Sequence, residues 1–402
     1  MAGPYASIYL HGWDVVDEGV DNVLKNLKDF GFNSINLAVS YHSGRYILPH
    51  NPKWRIYFAE EGVVYFEPHN ENYVDTILKP KRSERYGHVD ILSQVIEGAE
   101  RYGMKVNAWT VCHHNSSFVR QHPEVGIIDP YLNVDYNWMC PNNPDVRNYV
   151  KGLVRDLASN YDLNTIQLES ATFPWGIVHM DHHETFEVYV EPMVSHLYST
   201  CFCKYCVEKA RTLGFDLAGS REKLKDIIED SLHTSSYILH TLPKEDLYSN
   251  FYSLMVESEE IQELLRYKFK VVQEIFKDIK EVLKEANPKV KLSVITGPAS
   301  RLNEGVSFLH LDGVVDAFNL MVYYTNPEQV YYHLKWAKRL TRRSKIYASL
   351  RVNYPVAFSP QIIEGEINAA INAGADGIDF YNYGRTPLEN LRWIGEALSR
   401  VK

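Results

Sequence analysis

The sequence has no excess of basic charge: 42 Lys and Arg stand against 51 Asp and Glu, giving a net charge of -9. Contacts with nucleic acid or an anionic membrane depend on clustered Lys and Arg, so neither partner class is expected. The one basic run, Lys338 to Lys345, is short and reads as a solvated helix end. No apolar stretch approaches a membrane span, and Met1 to Ile8 lack the charged and apolar regions of a signal segment, so the expected location is cytoplasmic. Cysteine is scarce too. Five in a chain of 402 residues do not make a disulfide framework.

Tyrosine, by contrast, is abundant at 28 residues, with 7 Trp beside it. Sugars stack on aromatic faces and hydrogen-bond to phenols, so the excess fits a carbohydrate site, although a large core also absorbs aromatics. Hydrophobic residues at 45% and charged residues at 23% supply a large core and leave no reason to expect disorder. Length does not force a division into domains, because α/β barrels run past about 250 residues as one unit.

A weak internal repeat organises the chain: an amphipathic helix, a turn with Gly, Asn or Asp, then a short β-rich run ending in polar or aromatic residues. The runs are Ser7 to His11, Ser34 to Tyr41, Lys105 to Val111, Thr165 to Glu169, Val290 to Ile295, Ala317 to Tyr324, Lys345 to Asn353 and Gly377 to Tyr383. Helical spacing separates them, as in Ile91, Leu92, Val95, Ile96 and Ala99. Strand and helix in steady alternation imply a parallel sheet with helices outside, so a single (β/α)8 TIM barrel over residues 1–402 is expected. Two segments break the rhythm, Gly44 to Gly87 after the second strand and Ser170 to Glu257 (170–257) after the fourth. Both follow strand C-termini, where such barrels build their active sites. A separate small domain inside the second insertion is the rival reading.

Strand alternation sorts residues by face. Gln167 and Glu169 point into the barrel, as do Tyr9 and His11, Asn36 and Ser40, Asn107 and Trp109, and Asn319 and Tyr323. Tyr347, Ser349, Arg351, Asn353, Asp379, Tyr381 and Tyr383 follow the same rule. A purely structural barrel fills these layers with Val, Ile and Leu, so a polar and aromatic lining indicates a site.

Glu169 closes the fourth strand, directly before a long loop. Glycoside cleavage needs one carboxylic acid to protonate the leaving oxygen and a second carboxylate to attack or to activate water, and Glu169 is the candidate acid. Its structural alternative is an ion pair with Arg351. The candidates for the second group are Asp379, Asp181, Glu184 and Asp14. His182, His183 and His113 add imidazoles at the barrel mouth; adjacent histidines point to opposite faces, so sugar contacts are favoured over metal ligation. Cys201, Cys203 and Cys206 have the spacing of a tetrahedral all-sulfur zinc site, with Cys140 able to supply the fourth thiolate. Such a closed site is structural, and metal-free thiols are the alternative.

Cys140-Pro141-Asn142-Asn143-Pro144, Glu169 and the Cys201, Cys203, Cys206 cluster together resemble the glycoside hydrolase family 42 β-galactosidases over Met139 to Cys206. The resemblance implies a structural four-cysteine zinc site beside the barrel and an acid/base glutamate at Glu169. The chain departs from that family in having Leu168 where it has Asn, and Arg351 and Asn353 near its seventh-strand nucleophile. A broader likeness, to an uncharacterised group of glycoside-hydrolase-like barrels, rests on several motifs. These are Tyr9-Leu10-His11-Gly12-Trp13-Asp14, Leu37 to His42, Val64-Tyr65-Phe66, Ala108 to Val111, His182-His183-Glu184 and Cys201-Phe202-Cys203. It implies the barrel fold.

The expected activity is hydrolysis of a glycosidic bond, with Glu169 as acid, Asp379 or Glu184 as partner, and a carbohydrate as substrate. His11, Asp14, His42, Trp109, His113, His182, His183, Tyr323, Arg351, Asn353 and Tyr381 are expected to shape the sugar pocket. The rival functions are a noncatalytic carbohydrate-binding barrel and a metal-dependent hydrolase or lyase. Homo-oligomer formation is left open.

Overall fold

Eight short runs rich in Ile, Val, Leu and aromatic residues become the strands of one closed ring. They are β1 (Ala6–Leu10), β2 (Ser34–Tyr41), β3 (Lys105–Val111), β4 (Thr165–Glu169), β5 (Lys291–Thr296), β6 (Ala317–Met321), β7 (Lys345–Arg351) and β8 (Gly377–Tyr381). Each pairs in parallel with its sequence neighbours, and β1 pairs with both β2 and β8, so the ring closes on itself. Helices alternate with the strands on the outside, which makes the architecture a (β/α)8 TIM barrel. The structure, a computed structural model, describes residues 5–176, 192–233, 244–299 and 301–401.

Local sequence sets the helix starts. Asn143, Asn326 and Ser359 each precede a proline, and each side chain accepts a hydrogen bond from a backbone N–H of the first turn, at the head of Pro144–Asn160, Pro327–Leu340 and Pro360–Ala373. The longest helix, Glu259–Ala286, buries Ile261, Leu264, Val271, Val272, Ile275, Phe276 and Ile279 along one face. Among the described residues no helix is long and apolar enough to cross a membrane.

The insertion after β2 forms a hairpin of Gly44–Ile47 with Ile56–Ala59, followed by the short strand Val63–Val64 on the end of β2. The insertion after β4 contributes helices Pro192–Tyr198, Lys204–Thr212, Leu217–His233 and Lys244–Glu257. Leu224 and Ile228 of Leu217–His233 belong to the same apolar core as the barrel strands. A third excursion, which the repeat does not reveal, follows β3: a hairpin of Gly126–Ile128 with Val134–Met139. Phe202 donates its backbone N–H to Ile128 at 2.7 Å, joining that hairpin to the cysteine-bearing insertion.

The barrel interior is polar, as alternation predicts. Asp379 accepts from Asn319 at 2.6 Å, Ser349 at 3.2 Å, Asn36 at 3.5 Å and the Ser7 hydroxyl. Asn36 in turn accepts from Asn107 at 2.7 Å and Gln167 at 3.2 Å. All of these residues are buried, and the network pairs the Asp379 oxygens with donors that would each cost about 1–3 kcal/mol if left unpaired, while Gln167 Oε1 and Asn319 Oδ1 find no partner among the described residues.

One face assignment changes. The β2–β3 register slips between Ala38 and Ser40, a bulge that places two residues of β2 opposite one of β3. Beyond it Tyr41, not Ser40, reaches the cavity, and the Ser40 hydroxyl donates to the Val111 carbonyl instead.

Candidate active site

A cavity of about 260 Å³ opens at the C-terminal ends of the strands. Its described lining is Tyr9, Tyr41, His42, Tyr46, Trp109, Glu169, Trp175, Ile295, Met321, Tyr323, Ser349, Arg351, Tyr381 and Arg385. That size lies just under the range of about 300–1,000 Å³ for small-molecule pockets. Tyr9, Trp109 and Tyr381 pack mutually edge-on or tilted, with Tyr323 stacked on Tyr381 at 5.8 Å.

Glu169 is the one carboxylate among the described lining residues. The chain turns sharply after it, with Ser170 at φ 58, a conformation few residues other than glycine adopt. Trp109 Nε1–H donates to Glu169 Oε2 at 2.5 Å. Burial pushes the Glu169 carboxyl above its ordinary value, and it outweighs the downward pull of the Trp109 hydrogen bond and of His42 and Arg301. A raised proton affinity is the direction that a general acid requires.

Of the residues expected at the site, His42, Trp109, Glu169, Tyr323, Arg351 and Tyr381 come together on the cavity wall. Others stand behind it. His11 caps the helix Gly12–Glu18 and stacks on Trp13 at 4.2 Å, where burial lowers the affinity of its ring for a proton. Asp14 accepts the His11 backbone N–H at 2.9 Å and closes that cap. His113 Nδ1 meets the Thr172 carbonyl at 3.0 Å, and burial brings its pKa down to about 4, so its imidazole is neutral. Asn353 accepts from Arg351 Nε at 2.9 Å and donates to the Arg385 carbonyl at 3.2 Å, a positioning contact. Asp379 sits in the interior network without reaching the cavity lining. Asp181, His182, His183 and Glu184 lie outside the described residues.

Sequence reasoning missed Tyr46, Trp175 and Arg385. Tyr46 arrives from the hairpin after β2, where alternation in Gly44–Ile47 and Ile56–Ala59 turns Tyr46 and Tyr57 inward and leaves Ile47, Ile56 and Phe58 outside. Arg385 follows β8 after Gly384, whose missing Cβ would fall 2.1 Å from Asp14 Oδ1. Any side chain there would displace the Asp14 carboxylate, and the chain turns close over the first helix before presenting Arg385. The Gly384-Arg385 pair was the available signal.

The cysteines gather as their spacing predicts. The sulfurs of Cys140, Cys201, Cys203 and Cys206 all lie within 4.8 Å of one another, and all four residues are buried. Cys140 is 3.4 Å from Cys203, 3.5 Å from Cys206 and 3.8 Å from Cys201. Four sulfurs at the zinc–thiolate distance of about 2.3 Å in a tetrahedron stand about 3.8 Å apart, so the donor set fits a metal ion. The Ile128 backbone N–H and the Asn142 side chain point at Cys201 and Cys206, the kind of N–H contact that orients metal thiolates.

The family model described as Glycosyl hydrolase-like 10 matches residues 59–192, a segment that carries Trp109, Cys140 and Glu169. No curated protein matches the sequence. Among solved structures, the chain is similar to the glycoside hydrolase domain of PgaB (BpsB) from Bordetella bronchiseptica, at 12% identity and TM-score 0.57, covering 98% of this chain and 97% of that one. It is also similar to a β-galactosidase from Bacillus circulans sp. alkalophilus, at 12% identity and TM-score 0.60, covering 100% of this chain and 56% of that one. A third is α-L-fucosidase isoenzyme 2 from Paenibacillus thiaminolyticus, at 14% identity and TM-score 0.56, covering 99% of this chain and 49% of that one. The chain thus spans about half the length of these last two chains. Over residues 59–192 the sequence matches the Glycosyl hydrolase-like 10 family, and the whole chain has the barrel fold of these glycosidase structures.

Proposed function

We propose that the protein hydrolyses a glycosidic bond, with Glu169 as the general acid. The observation that carries this reading is a half-buried carboxyl of raised proton affinity, held by one indole donor on the wall of an aromatic-lined cavity. Glu169 would pass its proton to the leaving oxygen as the bond to the anomeric carbon breaks; water then supplies the hydroxyl to that carbon and returns a proton to the protein. Asp379 already accepts four hydrogen bonds, which suits an anchor better than a nucleophile or base. The proposal therefore gives the partner role to Glu184. The match to a glycosyl hydrolase-like family supports the same reaction class.

The test is turnover of a panel of aryl glycosides by the wild type and by Glu169→Gln. The wild type releases product, and the variant, still folded, loses about 10²–10⁴-fold in kcat, the usual contribution of a positioned acid. Full activity in the variant would sink the assignment. A noncatalytic sugar-binding barrel is the second reading, favoured by the single carboxylate among the described lining residues. Sugar binding with no product from any glycoside would establish it. The metal-dependent reading rests on His182 and His183, which lie outside the described residues; among those described the cysteine quartet is the one metal-type cluster.

For the quartet we propose structural zinc, holding the insertion after β4 to the hairpin after β3. Cys140 comes from one and Cys201, Cys203 and Cys206 from the other, so the ion would cross-link two excursions of the same face. Metal analysis of the purified chain should give about one zinc per molecule, lost in Cys203→Ala along with several degrees of melting temperature. A metal-free wild type with unchanged melting in the variant would contradict it.

A further inference from the structure

The reading of the cavity as a sugar site leaves two of its residues without a task. Arg351 and Arg385 line the wall formed by β7 and the segment after β8. Both are fixed in place by neutral partners. Arg385 donates to the Tyr381 hydroxyl at 3.1 Å, with its guanidinium 5.0 Å from the Tyr46 ring and 5.7 Å from the Tyr381 ring. Arg351 spends Nε on Asn353 at 2.9 Å and a terminal nitrogen on the Tyr354 carbonyl at 3.3 Å. Asn353 ties the two together through the Arg385 carbonyl.

Neither arginine has a carboxylate partner among the described residues, whereas Arg82, Arg101, Arg147, Arg301 and Arg400 each pair with one. Two fixed guanidiniums on the same cavity wall, partly withdrawn from water and with no counter-charge among the described residues, repel one another. They do not serve as counter-charge to Glu169 either. The basic side chains that act on its carboxyl are His42 and Arg301. Position explains why: in a ring of eight strands β4 faces β8, so Glu169 and Arg385 stand on opposite walls.

A guanidinium has five N–H donors in a planar fork that matches a carboxylate, and most donors of this pair are not taken by the protein contacts above. Charge-assisted contacts of this kind are the strong ones. Neutral hydroxyls would leave the paired charge uncompensated. An anion on the sugar removes the repulsion, and the opposite placement keeps it away from the Glu169 carboxylate.

Resting on the glycosidase reading, we propose that the sugar bound here is acidic, its carboxylate held between Arg351 and Arg385 across the ring from Glu169. The substrate class is then a uronide, not a neutral hexoside.

Binding to full-length Glu169→Gln, which does not consume ligand, tests this. Calorimetry would compare the methyl glycosides of glucuronic, galacturonic and mannuronic acid with their neutral parents and with the 6-sulfated hexosides. For at least one pair the uronide binds roughly ten- to a hundredfold more tightly than its parent, the span expected of hydrogen bonds to a charged group. That preference collapses in Arg351→Gln and Arg385→Gln, is partly kept in Arg385→Lys, and weakens with salt, while circular dichroism and melting show each variant folded. Neutral parents that bind as well as every uronide overturn the inference and leave the sugar site standing. Preference for the sulfated hexosides alone overturns the carboxylate assignment. If no sugar of any kind binds, the sugar-site reading falls as well.

Discussion

The floor and the mouth of this barrel each hold a carboxyl group, and the two are treated in opposite ways. At the floor Asp379 is enclosed by hydroxyl and amide donors from β1, β2, β6 and β7, with no access to the cavity. At the mouth Glu169 has one described side-chain donor, Trp109, and open space in front of it. Burial raises the proton affinity of both. What separates them is unused capacity. A carboxyl whose lone pairs are all engaged stabilises its surroundings, and one that faces a cavity with a single partner can exchange a proton with a ligand. A third case extends the series: Glu366, on the inner face of the helix Pro360–Ala373, is fully buried and neither oxygen has a hydrogen-bond partner in the described structure.

The sharpest way to break the comparison is to empty the floor. Asp379→Ala strands the donors of Ser7, Asn36, Asn319 and Ser349, and a loss of about 3–5 kcal/mol in unfolding free energy is expected by denaturant titration. An Asp379→Ala protein of wild-type stability would show that the network contributes nothing.

Glu366 gives the next largest effect, with the sign reversed. Burial raises its pKa from 4.5 to about 8, so between those values the folded chain binds the proton more tightly than the unfolded chain. Its contribution is fully present below pH 4.5 and is lost as pH rises towards 8. Glu366→Met, close in volume and uncharged, should therefore stabilise the protein by about 2–3 kcal/mol at pH 7 and flatten the decline across that window. Thermal melts from pH 5 to pH 8 would check it, and equal slopes in both proteins would refute it.

Trp109→Phe has the smallest effect and acts on the mouth. The indole N–H favours the ionised form of Glu169, so its removal raises the proton affinity further. The alkaline limb of kcat/KM then moves to higher pH by roughly one unit. An unmoved or lowered limb would mean that the hydrogen bond does not tune the acid.

The eight strands were legible because alternation and turn residues repeat along the chain, and the polar interior followed from the same alternation. Glu169, Trp109, Arg351 and Tyr381 were legible because a strand end fixes which way a side chain points. The rest depended on geometry that strand periodicity does not encode. Tyr41 reaches the cavity through a bulge, Tyr46 through a folded-back hairpin, and Arg385 through a turn where glycine at position 384 leaves room for the Asp14 carboxylate. His11 and Asp14 misled because His11, one step past β1, caps the next helix instead of extending the strand, and Asp14 in the first turn closes that cap. The cysteine quartet was legible in full, since its spacing is short and its fourth member lies beside a helix cap.

The account turns on which carboxyl meets the ligand, and a crystal structure with a bound uronic acid or iminosugar measures that directly. The account predicts a ring stacked among Tyr9, Trp109 and Tyr381, with a ligand oxygen or nitrogen about 2.6–3.2 Å from a Glu169 oxygen and Asp379 still enclosed beneath. A ligand bound away from Glu169, or Glu169 turned from the cavity into an ion pair, would contradict it.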